Sequence, residues 1–312
     1  MNEPRRHHYV PESYLLNFCE LKKKKKHVFY IYDNDKSQWR IGQPKNESVE
    51  TDFQKISNRE GIDPYIFEKE FSQLESQAID AIRRAIKNKK LPKGLDDIAP
   101  ILNLVGLLAG RNVNTRKLFT DLTEHVHLNV FKLITKDERT YHKQMHKIRG
   151  IDKQIPDYQE FKDFIDKGEF KIQMDPSPIV EELIKVSSDI TDLLLERCWM
   201  LIETTTSYFI TSNNPVNIIW AHGWQPFVPG YGLINTIVTF PISPNLALIG
   251  SFSPLPGYCE VNKDVVEGVN WCTACGGANV IYSKRQIPFP SILGTVHLQS
   301  FHRLLPSRLL EH

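Results

Sequence analysis

No stretch of this sequence is apolar for long enough to cross a membrane as a helix. The longest candidate, residues 98–109, falls well short of the roughly 20 residues a span needs. Cysteine is scarce. The five present have no regular spacing, which argues against a disulfide framework of the kind that staples small secreted domains. The opening residues, MNEPRRHHYV, lack the apolar core of a signal peptide. A reducing cytoplasm is therefore the expected compartment. Charge of one sign is also lacking. With 39 basic and 37 acidic residues the net charge is +2, so the whole molecule offers no electrostatic case for nucleic acid. No glycine-rich phosphate loop, nucleophile-elbow pentapeptide or zinc-protease motif is found.

Three weaker signals need weighing. Five lysines at 22–26, and a second basic stretch of Arg83, Arg84, Lys87, Lys89, Lys90 and Lys93, could contact phosphates. Charge runs more often face solvent, and that is the expectation here. Cys272 and Cys275 have the spacing of a redox or zinc motif, but they sit at a predicted helix end without a second cysteine pair. Arg139 and His146 match a loose arginine–histidine spacing of one ribonuclease class, a weak signal in a chain with 11 histidines.

What is present is a 312-residue chain, 41% hydrophobic, enough for one sizeable core. Residues 28–32 are aromatic and β-branched and read as a strand; 39–41 can pair back on it as a hairpin. Asp63-Pro64 opens a helix to about residue 87, with Phe67, Phe71, Leu74, Ala78, Ile82 and Ala85 along one face. A longer helix is expected over 96–135, a charged connection or short helices over 136–168, and a third helix over 178–196. Short strands follow at 199–202, 208–211, 216–220, 234–240 and 246–252, then a helix over 263–275 closed by Gly276-Gly277. These elements predict an α+β fold, with central helices packed against a mostly antiparallel sheet and an N-terminal hairpin joining the same core. A single domain over 1–312 is expected, its parts being 1–60, 61–197 and 198–312.

Charged residues interrupt the apolar stripes. Arg111 falls three residues after Leu108 and four before Thr115, inside a buried stripe. Glu75 lies four after Phe71, and Glu68 two turns before Glu75 on the same side, roughly 10 Å along the axis. A buried charge must be paired or bind something, so Arg111 is expected to meet Glu75 or Glu68. An ion pair with only a structural role and a cleft facing an anionic substrate fit these residues equally well. His7 and His8 point to opposite faces of an extended segment, so one of them faces inward as a potential acid or base. Thr211-Ser212-Asn213-Asn214-Pro215 reads as a tight turn whose side chains cap backbone groups or offer donors to a phosphate.

Taken together, His7-His8-Tyr9-Val10-Pro11, followed by Tyr14-Leu15 and Phe18, resembles the opening of a family known only as a domain of unknown function, number 4238. Tyr30 to Asp33, the Glu68–Glu75 pair, Arg111, Trp199, the 209–215 turn, Pro241 to Pro244 and Asn270 are similar to its later landmarks, in order along the chain. The resemblance implies one family-wide domain. It also implies that the histidine, the glutamates, the arginine and the turn belong to one site. Where the family has Asp in the turn, this chain has Asn213, which cannot act as a base.

The leading expectation is an enzyme acting on a phosphate-containing substrate, such as a nuclease. His8 is then the general acid or base. Glu75, with Glu68, orients it or holds a divalent metal. Arg111 stabilises phosphate charge, and Ser212, Asn213 and Asn214 bind substrate. Asn213 favours the alternative, a non-catalytic ligand-binding or interaction module such as a defence or toxin–antitoxin component. A purely structural constellation is the third reading.

Overall fold

The computed structural model describes residues 6–287, apart from 23–25, 58–62, 93, 150–153, 169, 171, 173–174 and 222–224. Three lysines of the 22–26 run, and Lys93, lie outside the described residues. Arg83, Arg84, Lys87, Lys89 and Lys90 are solvent-exposed, as a charged helix end should be.

The chain begins with β1 (Arg6–His8), the short helix α1 (Glu12–Leu15) and strands β2 (Glu20–Lys22), β3 (Lys26–Asp33), β4 (Gln38–Gly42) and β5 (Val49–Thr51). Six helices follow: α2 (Ile66–Asn88), α3 (Leu95–Gly110), α4 (Val113–Ile134), α5 (Glu138–Arg149), α6 (Tyr158–Lys167) and α7 (Ser177–Leu195). The strand-rich part holds β6 (Cys198–Glu203), β7 (Thr211–Ser212), β8 (Asn217–Trp220), β9 (Thr236–Ser243), β10 (Leu246–Ser251) and β11 (Tyr258–Glu260). It ends with α8 (Lys263–Cys275) and β12 (Val280–Ser283).

A five-stranded sheet in the order β11-β6-β10-β9-β8 is antiparallel except for the β11–β6 pair. Its two faces are both covered. Val238, Phe240, Ile242, Leu201 and Leu248 pack in the core shared with α2 and α3. Met200, Ile202, Ile237, Ala247 and Ile249 pack against Val265, Val266 and Val269 of α8. Every residue of β9 and β10 is buried as a result. A second sheet joins β2, β3, β4, β12 and β7, so the N-terminal strands pair with the last one. The fold is α+β, with a helical bundle against an antiparallel sheet and an N-terminal pair, β1 with β5. The largest core cluster draws on residues from Val10 to Tyr282.

Two helix boundaries differ from the sequence expectation. α2 starts at Ile66, because the Asp63 carboxylate accepts from the Tyr65 N–H at 2.9 Å and its carbonyl from the Ile66 N–H, closing a turn first. The long helix expected over 96–135 is two helices, broken at Arg111-Asn112. Asn112 serves both ends. Its Oδ1 accepts from the Thr115 N–H at 2.8 Å, capping α4, and its Nδ2 donates to the Ala109 carbonyl at 2.7 Å. Just before the break, α3 crosses α7 so closely that a Cβ on Gly110 would lie 2.4 Å from Ser187 Oγ. Arg111 is thereby held at a helix joint and not mid-helix.

Candidate functional site

Helix α2 carries the two carboxylates on one side, with Phe71 between them. The histidine turned toward them is His7, not His8. Pairing of β1 with β5 sets His7 opposite Glu50 and sends its ring inward, where it is fully buried. His7 Nδ1 accepts from the Gln54 N–H at 3.0 Å and lies 3.9 Å from Glu68 Oε2. The ring stands edge-on to Tyr65, with centroids 5.8 Å apart. An Nδ1 that accepts leaves the proton of a neutral imidazole on Nε2. His8 occupies the opposite face of the strand, half-buried, near Glu12 and the backbone of Glu47. Burial pulls its pKa down, which Glu12 partly offsets.

Glu75 meets Arg111. Arg111 Nη2 donates to Glu75 Oε1 at 2.9 Å, and the guanidinium carbon sits 4.5 Å from the Phe71 ring centroid. Arg111 is 2% exposed, yet its Nε and Nη1 have no hydrogen-bond partner among the described residues. Burial pushes the Glu75 pKa up, against the pull of Arg111. Glu75 also lines a surface cleft of about 280 Å³ with Ser13, Ser72, Ser76, Asp80 and Arg83. One side of α2 thus bears the Glu75–Arg111 ion pair and, two turns away, Glu68 beside His7.

The N-terminal segment reaches the 211–215 turn through its tyrosines. The Tyr9 hydroxyl lies beside the side chains of Asn213 and Ser48, and burial raises its pKa. Tyr14 Oη lies 2.7 Å from Thr211 Oγ1 and donates to the Pro241 carbonyl at 2.7 Å, with its ring stacked on Phe240. The turn's polar side chains are occupied by backbone. Ser212 Oγ accepts from the Asn214 N–H at 3.1 Å. Asn213 Oδ1 accepts from Asn279 N–H at 3.1 Å and Val280 N–H at 3.2 Å. Asn214 Nδ2 donates to the Gly276 carbonyl at 2.6 Å, leaving its buried Oδ1 without a partner. This accounts for Asn213: the position needs an acceptor, which amide and carboxylate both supply.

Several participants escape a sequence reading. Arg116 stacks 4.5 Å from the Phe53 ring centroid and donates to the Phe53 carbonyl, with burial lowering its pKa. Phe53 in turn packs on Tyr9, centroids 5.5 Å apart. Gln54 anchors His7 by its main chain alone, so its side-chain type carries no signal. Asn112 leaves one in principle, an Asx residue three before Thr115. Among the described residues no group of three or more His, Cys, Asp or Glu side chains is placed to hold a metal ion. No described helix is long and apolar enough to cross a membrane.

Neither a curated protein nor a solved structure matches the chain. A family does, over residues 6–286, a span that reaches from the strand bearing His7 to just past β12. The chain belongs to the family described as protein of unknown function (DUF4238).

Proposed function

We propose that the α2 face is a binding site for a phosphate-bearing anion, with Arg111 as its anchor and Glu75 as an internal occupant of the anion's place. The observation that carries this reading is the Arg111 guanidinium. It is buried, two of its three nitrogens lack partners among the described residues, and it pairs with Glu75, a residue that lines a surface cleft. A guanidinium fork matches two oxygens of a phosphate group, whereas Glu75 engages one nitrogen only. The hydroxyls of Ser13, Ser72 and Ser76 around the same cleft offer further donors. Glu75 stands between cleft and cation, so ligand entry displaces it.

Displacement is linked to pH. The Glu75 pKa lies above its ordinary 4.5, so its carboxyl takes up a proton sooner as pH falls, and the protonated form releases Arg111. Sulfate, which stays fully ionised, is the suitable probe. Titration calorimetry is expected to show tighter sulfate binding at pH 5.5 than at 7.5 for the unaltered protein. Glu75→Gln is expected to bind at least tenfold tighter at pH 7.5, with the pH dependence much reduced. A folded Glu75→Gln protein with unaltered or no sulfate binding at both pH values contradicts the proposal.

Hydrolysis of a phosphodiester, nucleic acid included, is the second reading, and the His7–Glu68 pair favours it. In that reading His7 takes the acid–base role the sequence assigns to His8, and Glu68 stabilises the imidazolium. Glu68 and Glu75 are the carboxylates a divalent metal would use. Binding stands first because His7 is fully enclosed and its Nδ1 is engaged by Gln54.

A further inference from the structure

One residue beyond Arg111, Asn112 lines a different cleft, also of about 280 Å³, to which α2 contributes no residue. It opens between the ends of α3 and α8 and along β8, the edge strand of the first sheet. Its walls join the two cores. Ile218 and Tyr231 pack on the cluster shared with α2 and α3, and Ile219 and Trp271 on the cluster beneath α8. No lining residue carries a charge. Burial raises the Cys272 pKa to about 12 and lifts that of Cys275 as well, so both remain thiols.

Two amides in this lining are incompletely satisfied. Asn214 and Asn217 both line the cleft, and the Oδ1 of each is buried without a hydrogen-bond partner among the described residues. Asn217 as a whole is 3% exposed. Exchanging amide oxygen and nitrogen relieves neither, because each Nδ2 already faces a carbonyl, Gly276 at 2.6 Å for Asn214 and Pro215 at 3.4 Å for Asn217. Gly276 makes room for this arrangement. Its φ of −73° is open to any residue, but a Cβ there would collide with Asn217 Oδ1. A buried acceptor left unpaired is costly and calls for a donor.

We propose that this cleft binds an uncharged, amino-bearing nucleobase of the adenine type, whose N–H donors meet the free oxygens of Asn214 and Asn217. The chemistry of the lining selects this ligand. The unpaired groups are acceptors, so the ligand must donate. No carboxylate is present to balance an ammonium, so the donor is neutral. Trp271 and Tyr231 supply aromatic surface on which a flat ring stacks. The volume is at the small end of ligand pockets and suits a base without its phosphates. Asparagine and the adenine amino group are a recurrent pairing for the same reasons.

Titration calorimetry on the full chain tests the proposal, with adenine and with purine, the same ring without the amino group. Adenine is expected to bind at least tenfold tighter than purine. Asn217→Leu, close to asparagine in volume but without an acceptor, is expected to bring adenine down to the purine level. Loss of that preference is a readout that damaged packing alone does not give. Cys275 is exposed, so Cys275→Trp leaves the core intact, and its bulk in the cleft is expected to block both ligands. Circular dichroism and the thermal midpoint of each variant confirm folding. Glu75→Gln is expected to bind adenine as the unaltered protein does, which keeps this site separate from the α2 face. No adenine binding at about 1 mM overturns the proposal. So does purine binding as tightly as adenine, a folded Asn217→Leu protein that keeps the preference, or adenine binding indifferent to Cys275→Trp.

Discussion

Arg111 and Glu75 were legible as inward-facing charges because helical spacing fixes which side of a helix a residue occupies. The choice between His7 and His8 was not. Alternation along a strand says that adjacent side chains point apart, but not which of the two faces the core. That is decided by β5, whose register sets His7 under the loop carrying Gln54. The turn is a second case. Ser212 and Asn213 read either as caps of backbone groups or as donors for a ligand, and their oxygens accept main-chain N–H groups from Asn214, Asn279 and Val280. The partners of Asn213 lie more than sixty residues away, and no local pattern encodes them. The two histidines should separate in stability. His7→Ala leaves the buried Gln54 N–H without an acceptor and is expected to cost about 1–3 kcal/mol in urea unfolding. His8→Ala, on the half-buried face, is expected to cost less. Equal losses, or a larger loss at His8, would show that the ring at position 7 does not hold the loop.

Some elements are legible nearly to their ends. α2 and α8 and the β3–β4 hairpin lie close to where their periodicity puts them. β9 and β10 are covered on both faces, so apolar residues run through them without alternation, and only their turns mark the ends. β7 keeps only Thr211–Ser212 of a longer apolar run, and β2, β5, β11 and β12 are too short to register as periodic at all. The break between α3 and α4 hides behind continuous helical spacing, because Arg111 stays inward whether or not the helix continues. The joint depends on the close crossing of α3 and α7. In Gly110→Ala the new Cβ would stand 2.8 Å from Ser187 backbone atoms, which cannot swing aside as a side-chain tip can. A loss of about 1–3 kcal/mol is expected from denaturant unfolding. An unchanged midpoint would mean that the crossing is looser than the geometry requires.

At the scale of the whole molecule, the first strands and the last meet in one sheet, and the largest core cluster draws on both ends of the described chain. That closure brings the N-terminal motif against the 211–215 turn through Tyr9 and Tyr14, and hangs His7 over α2. The α2 face then presents a buried cation whose partner, Glu75, also lines an open cleft. Loosening that carboxylate without changing its shape addresses the central claim most directly. A crystal structure of Glu75→Gln grown with sulfate is predicted to show an anion within hydrogen-bond distance of Arg111 Nε or Nη1, with the substituted amide side chain turned into the cleft. An amide still seated on Arg111, with no anion beside the guanidinium, would contradict the account.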